Sequence, residues 1–366
     1  MTSAAISTLG SRVDPALIRS AWAGRVSGCL LGKPLEVLSF RTGRQGVLAY
    51  LEAAGALPLR DYVPATGESL PARLEPDSCR GRITRAEPDD DINYTVLALL
   101  LLEQHGLELK TEDVARAWLR RVPAGRTWTA ERAAYRVLLE NMDDEFVNGA
   151  DPGFDLDQCA DNAFNEWIGG QIRADLYGWV TPGQPALAAR FATRDARLSH
   201  RGDGIFAAAF IAALAAALPA ARDLDAALDE ALVQIPGDSG AAEAVHRGRQ
   251  LAGEPAGCEE LHRLYAGLSP VHALNNLALV VWSLCSHPHD FSAAVGEVVS
   301  GGWDTDSNGA TVGGLSGIAG NAIPAHWTQP WNGRIAVTLA GQEEWQLETL
   351  VEKTVNLARQ LEEARC

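Results

Sequence analysis

Two acidic clusters lie far apart in the chain, Pro88-Asp89-Asp90-Asp91 and Gly302-Trp303-Asp304-Thr305-Asp306-Ser307. Carboxylates at this density repel one another unless positive charge lies between them. Hard divalent cations such as Mg²⁺ take oxygen ligands and would suit both clusters. Three consecutive side chains within a helix point about 100° apart and cannot converge on one ion. At a helix entrance the backbone is not yet helical, so convergence is open there, and the helix dipole favours anions. The competing reading of Asp89, Asp90 and Asp91 is one N-cap with two solvated neighbours. Asp304 and Asp306 are spaced i, i+2, which in extended chain puts both carboxylates on one side. Ser307 adds a hydroxyl. A third element, Gly28-Cys-Leu-Leu-Gly-Lys-Pro-Leu-Glu36, ends a helix in small residues and places Glu36 after a constrained turn.

The elements that must position these groups read as helices. Residues 15–31 form one, with Asp14 as N-cap and Pro15 at the first position. Further helical spacing covers 91–104, 111–121, 129–142, 184–191, 204–218, 224–233, 240–251, 271–285, 291–299 and 342–365. The run after Asp306 is rich in glycine, which weakens a helix by roughly 1 kcal/mol per site against alanine. Its Val312, Leu315 and Ile318 keep helical spacing, so close approach of a neighbouring helix is the natural reason for the glycines. Strand signals are sparse; residues 334–339 are the best candidate, within a small C-terminal hairpin. The region 41–83, rich in Pro, Gly and Arg, reads as an irregular insertion or lid. The expectation is an all-α fold, one compact orthogonal multi-helix domain over 1–366.

The chain has 366 residues and a formal net charge of −16. That charge excludes nucleic acid as a partner, because phosphate binding needs excess Lys and Arg. It reads either as solubility or as charge compensated by bound cations. The six cysteines form no CxxC pair, which points to a reduced, cytoplasmic protein without a zinc site. Residues 1–14 carry no apolar signal region. The longest apolar run, 205–217, is too short to span a bilayer, so no membrane association is expected.

Taken together, the three elements resemble the ADP-ribosylglycohydrolase family, of the dinitrogenase-reductase-activating type. The family pattern has a Gly-rich helix end with a Glu, then Thr-Asp-Asp-Thr at a helix start, then Gly-x-Asp-Thr-Asp-Thr. Glu36 falls on the Glu, Asp90 and Asp91 on the first Asp pair, and Asp304 and Asp306 on the second. Asp89 stands at the first Thr, Ile92 at the last, and Ser307 keeps a hydroxyl. Segments 166–175, 178–183, 199–206, 271–276 and 302–311 look like those of a bacterial branch.

The resemblance implies an all-helical hydrolase with two Mg²⁺ ions, Mn²⁺ often substituting, that cuts a glycosidic bond at ribose C1′. Its substrate would be an ADP-ribosylated protein or a ribose-containing small molecule such as a nucleoside or nucleotide. Metal ligands on this reading are Asp89, Asp90, Asp91, Asp304, Asp306 and Ser307. Glu36, Asp90 and Asp304 are the catalytic candidates, with Glu36 either a ligand or the base for water. Ser199, His200, Asp203, Gly204, Asp175 and Trp303 are candidates for binding substrate. Against this, Asp203 reads as a cap with His200 at the surface, Arg173 and Asp175 as a surface ion pair, and His272, Asn275 and Asn276 as a satisfied buried cluster. Of the tryptophans, Trp303 is expected in the cleft, with Trp167 and Trp179 in the core. The alternatives are a crystallin-like structural or ADP-ribose-binding protein without catalysis, and a two-metal phosphoesterase.

Overall fold

The chain begins its ordered path at Asp14, whose carboxylate accepts a 2.8 Å hydrogen bond from Ala16 N and starts the first helix. The computed structural model describes residues 13–141 and 144–365; the expectations for residues 1–12 and Met142 fall outside them. Helix α1 spans Pro15–Gly32, and a single 3₁₀ turn leads into α2, Glu36–Ala53. Helix α3 is Asp90–His105, α4 Thr111–Arg121 and α5 Thr129–Asn141. After an irregular stretch with a 3₁₀ segment at Ile168–Arg173 come α6, Pro185–Ala196, and α7, Gly202–Ala217. Helices α8 (Leu224–Leu232), α9 (Gly240–Leu251), α10 (Ala273–Ser286) and α11 (Phe291–Ser300) lead to α12, Thr305–Ile318. A two-stranded antiparallel hairpin, β1 (Arg334–Ala336) and β2 (Glu344–Gln346), precedes the last helix, α13, Leu347–Glu363. The fold is all-α, as the helical spacing predicts, and the hairpin lies near the chain end.

The glycine rows account for the centre of the molecule. Helices α1 and α12 run antiparallel with their backbones in contact, and glycines meet at four-residue intervals. A Cβ on Gly24 would lie 2.1 Å from the Gly313 carbonyl oxygen, one on Gly28 1.9 Å from that of Gly309, and one on Gly32 2.1 Å from that of Thr305. Only hydrogen fits between the helices. This register sets the C-terminal end of α1, and hence Glu36, beside the N-terminal end of α12, where Asp304 and Asp306 stand. Helix α7 has apolar residues on every side and is buried along most of its length, as a core helix must be.

The 41–83 region departs from expectation in its first third. Residues 41–53 continue α2, with a bend at Gly43, whose φ is 66°. Val47 and Leu51, four residues apart, bury one face of that helix. The two glycines and the polar residues between them hid that spacing. The last helix also begins later than predicted, because residues 344–346 are held in the hairpin. Ala86 joins the hairpin edge, with Ala86 N donating to Arg334 O at 2.8 Å and Ala336 N to Ala86 O at 2.9 Å. The approach to Asp89 is thereby fixed to the C-terminal part of the chain.

Candidate metal-binding cleft

Asp89 adopts extended backbone and caps α3, its Oδ1 accepting from Asp91 N at 3.1 Å. That leaves Asp90 and Asp91 in the first helical turn. Asp304 reaches the opposite side through an unusual turn, in which Gly302 and Trp303 both have positive φ, 80° and 56°. For a tryptophan this conformation costs roughly 1–3 kcal/mol, and local contacts hold it. The Trp303 ring stacks on His262 with centroids 3.9 Å apart, and its carbonyl accepts from Ser39 Oγ at 2.8 Å. Asn276 braces the same turn, accepting from Asp304 N at 3.3 Å and Asn308 Nδ2 at 2.7 Å.

These elements meet at a cavity of about 440 Å³. Its floor contains Glu36, Asp89, Asp90, Asp304, Asp306 and Ser307. Asp91 lies just beneath, buried, with its Oδ2 accepting from Ser307 Oγ at 3.2 Å. The two remote acidic clusters therefore form one site. Two groups of potential ligand atoms have members within 4.8 Å of one another: Glu36, Asp304 and Asp306, and Cys29, Asp89 and Asp91. The donors of the first group are all carboxylate oxygens, which fits a hard divalent cation.

The electrostatics agree with that fit. Burial pushes the carboxyls of Glu36, Asp90 and Asp304 well above the usual carboxylate range, and neighbouring carboxylates add to it, Asp306 foremost for Glu36 and Asp304 and Asp89 for Asp90. Burial and Asp89 push Asp306 to about 6. Asp89 behaves oppositely. Burial opposes its charge, but Lys33 and hydrogen bonds outweigh it and hold the carboxyl below its usual value. Among the described residues, no Lys or Arg forms an ion pair with Glu36, Asp90, Asp304 or Asp306.

Several expected binding residues lie outside the cavity wall. Asp175 is fully buried and pairs with Arg25 Nη1 at 3.0 Å. Arg173 is not its partner and is not at the surface; it pairs with Glu131 at 2.8 Å and Asp195 at 2.7 Å. Ser199 and His200 are buried too. His200 Nε2 accepts from Gly170 N at 3.2 Å, Ser199 Oγ lies 2.8 Å from His200 Nδ1, and burial holds the ring neutral. Both support the 168–173 segment, whose Ile168, Gly169 and Ile172 do line the cavity. Asp203 Oδ1 accepts from Ala241 N at 2.9 Å and so caps α9. Gly204 allows contact with Asn165, whose carbonyl oxygen would lie 2.5 Å from an added Cβ. Of the cluster expected to be satisfied, Asn276 is so, its Nδ2 donating to Pro270 O and His272 O at 2.8 Å each, but Asn275 only in part: its Nδ2 donates to Ser269 O at 3.2 Å and its buried Oδ1 has no partner among the described residues. Trp303 is buried behind the floor, Trp179 is core, and Trp167 lines the cavity instead.

Sequence reasoning passed over four contributors. Arg25 is wholly buried and donates to Asp91, Thr95 Oγ1, Asp175 and the Ile172 carbonyl. An arginine amid the small and apolar residues of α1 was the available signal. Lys33 lies within the segment leading to Glu36, and its Nζ is 3.0 Å from Asp89 Oδ2. Glu131, in the first turn of α5, lines the wall and is held by Arg173. Trp128, 55 % exposed at the rim, carried no distinguishing signal.

A family model described as ADP-ribosylglycohydrolase matches residues 12–364. No curated protein matches the chain. A solved structure described as an ADP-ribosylglycohydrolase-related protein complex superposes with a TM-score of 0.61 at 19 % identity, covering 94 % of this chain and 98 % of that one. At that identity the likeness concerns the fold.

Proposed function

The chain belongs to the ADP-ribosylglycohydrolase family, and from that premise we propose that it hydrolyses the glycosidic bond at C1′ of a ribosyl group in a divalent-cation-dependent reaction. The observation that carries this reading is the convergence of Glu36, Asp304 and Asp306 within 4.8 Å at the floor of a cavity, with no Lys or Arg ion pair to any of the three among the described residues. Mg²⁺, with Mn²⁺ able to replace it, is the natural occupant of an all-carboxylate group. Glu36, Asp304 and Asp306 would hold it, with Asp90 and Ser307 beside them. When bound, such a cation neutralises the carboxylates and orients a ribose diol.

The chain's own groups supply the rest. Water attacks C1′ as the bond to the leaving nitrogen or oxygen breaks, and positive charge develops at C1′. The carboxylates of Asp90 and Asp304 stabilise that charge. Glu36 takes the proton from the attacking water as general base, and the departing nitrogen or oxygen is protonated from solvent. Trp128, Trp167 and Phe40 give the cavity apolar walls for the remainder of the substrate. A ribose-containing small molecule and an ADP-ribosylated protein are the two substrate classes. We place the activity in one cytoplasmic domain spanning the chain. Wall residues running from Lys33 to Thr338 support the single domain, and Glu75 supports a covering role for part of 41–83.

Mass spectrometry of reactions with ADP-ribosyl-arginine, NAD and plain nucleosides offered side by side tests this. With Mg²⁺, a free ribosyl product is expected from at least one. Asp304→Ala and Asp306→Ala should abolish it with circular dichroism near wild type, and Glu36→Gln should lower kcat by about 10²–10⁴-fold. Product formation that survives chelation, or full activity in either alanine variant, would contradict the proposal.

A further inference from the structure

The two groups of ligand atoms differ in how their charge is met. Glu36, Asp304 and Asp306 have no Lys or Arg ion-pair partner among the described residues. In the second group, Asp89 Oδ2 lies 3.0 Å from Lys33 Nζ, and Asp91 Oδ1 lies 3.4 Å from Arg25 Nη2. Lys33 also donates to the Pro88 carbonyl at 2.5 Å, and its side chain is only 11 % exposed. A lysine ammonium is a compact point charge with three donors. Buried here between a carboxylate and a carbonyl, it has the oxygen surroundings that a hard cation would otherwise have. The third member, Cys29, is a buried thiol and a poor ligand for Mg²⁺. Asp89 Oδ1 caps α3, which leaves Oδ2 as the oxygen that faces the ammonium.

We propose that Lys33 is a built-in cation that fills one of the two positions, so that each chain binds a single divalent ion, at Glu36, Asp304 and Asp306. This rests on the reading of the cleft floor as a divalent-cation site. A second ion beside Asp89 would have to displace the ammonium from its partner or stand against it. Like charges so close in a buried site are strongly repulsive. Asp89 and Asp91 are then anchors for Lys33 and Arg25 rather than ligands.

The test is the count and coupling of Mn²⁺ on the full-length, chelator-treated protein, by equilibrium dialysis and electron paramagnetic resonance. Wild type should bind one Mn²⁺ per chain with an uncoupled six-line spectrum. Lys33→Met should gain a second, with the broadened signal of a spin-coupled pair. Should that variant not fold, Lys33→Gln, which keeps a donor for the Pro88 carbonyl but no charge, should gain the second ion in its place, and one ion in the folded Lys33→Gln protein would overturn the role of Lys33. Two coupled ions in wild type overturn the role of Lys33 while leaving the cation-site reading intact. No bound Mn²⁺ overturns both. A folded Lys33→Met that still binds one ion also overturns it.

Discussion

At the scale of single residues, the chemistry depends on carboxylates kept together at a cost. In the cation-free protein Asp306 titrates near 6 rather than at its usual 3.8. The folded state therefore holds a proton that the unfolded chain has released between those values. By linkage, stability from this group falls as pH rises from about 4 to about 6, by on the order of 2–3 kcal/mol. Asp306→Asn removes the effect. Denaturant melts of chelator-treated protein should show the variant gaining on wild type across that window and staying ahead at pH 7. Parallel pH profiles would show that Asp306 is not crowded by its neighbours. Arg25 and Arg173 are the counterpart. Each is buried and holds acids in place, Asp91 and Asp175 for one, Glu131 and Asp195 for the other. Removing one partner of such a pair leaves a buried charge unmatched, which typically costs 3–5 kcal/mol.

At the scale of elements, the α1–α12 contact sets the distance between Glu36 and the Asp304 turn. A methyl group on Gly309 would lie 2.3 Å from the Gly28 carbonyl oxygen. That oxygen belongs to helix backbone and cannot rotate away. Gly309→Ala gains about 1 kcal/mol of helix propensity, but overpacking of this kind costs about 1–3 kcal/mol or more. We expect net destabilisation and weaker Mg²⁺ affinity, measured by thermal melts with and without the ion. Gly237→Ala, where a Cβ meets nothing within 4 Å, serves as the neutral control. An equally neutral Gly309→Ala would refute the spacing argument. The glycine row was legible as a sign of close approach, and so were the acidic helix mouths. What was not legible was the partner of each row, because pairing across some 280 positions leaves no local periodicity. For the same reason His200 and Asp175 read as exposed or substrate-facing, whereas the fold buries them under the 168–173 wall. Helix α2 was missed because Gly43 bends it and interrupts its apolar spacing.

At the scale of the molecule, helices from the first tenth, the first third and the last fifth of the sequence meet at one cavity. Among the described residues no helix is long and apolar enough to cross a membrane. The five described cysteines are all free, in keeping with packing rather than cross-links as the source of stability. The formal charge of −16 includes a group of carboxylates at the cleft floor, of which Glu36, Asp90, Asp304 and Asp306 have no Lys or Arg ion pair among the described residues. Anomalous diffraction from a crystal soaked in Mn²⁺ reads that directly. The account predicts a peak bonded to carboxylate oxygens of Glu36, Asp304 and Asp306; a cleft floor empty under saturating Mn²⁺, or a peak only at surface carboxylates, would contradict it.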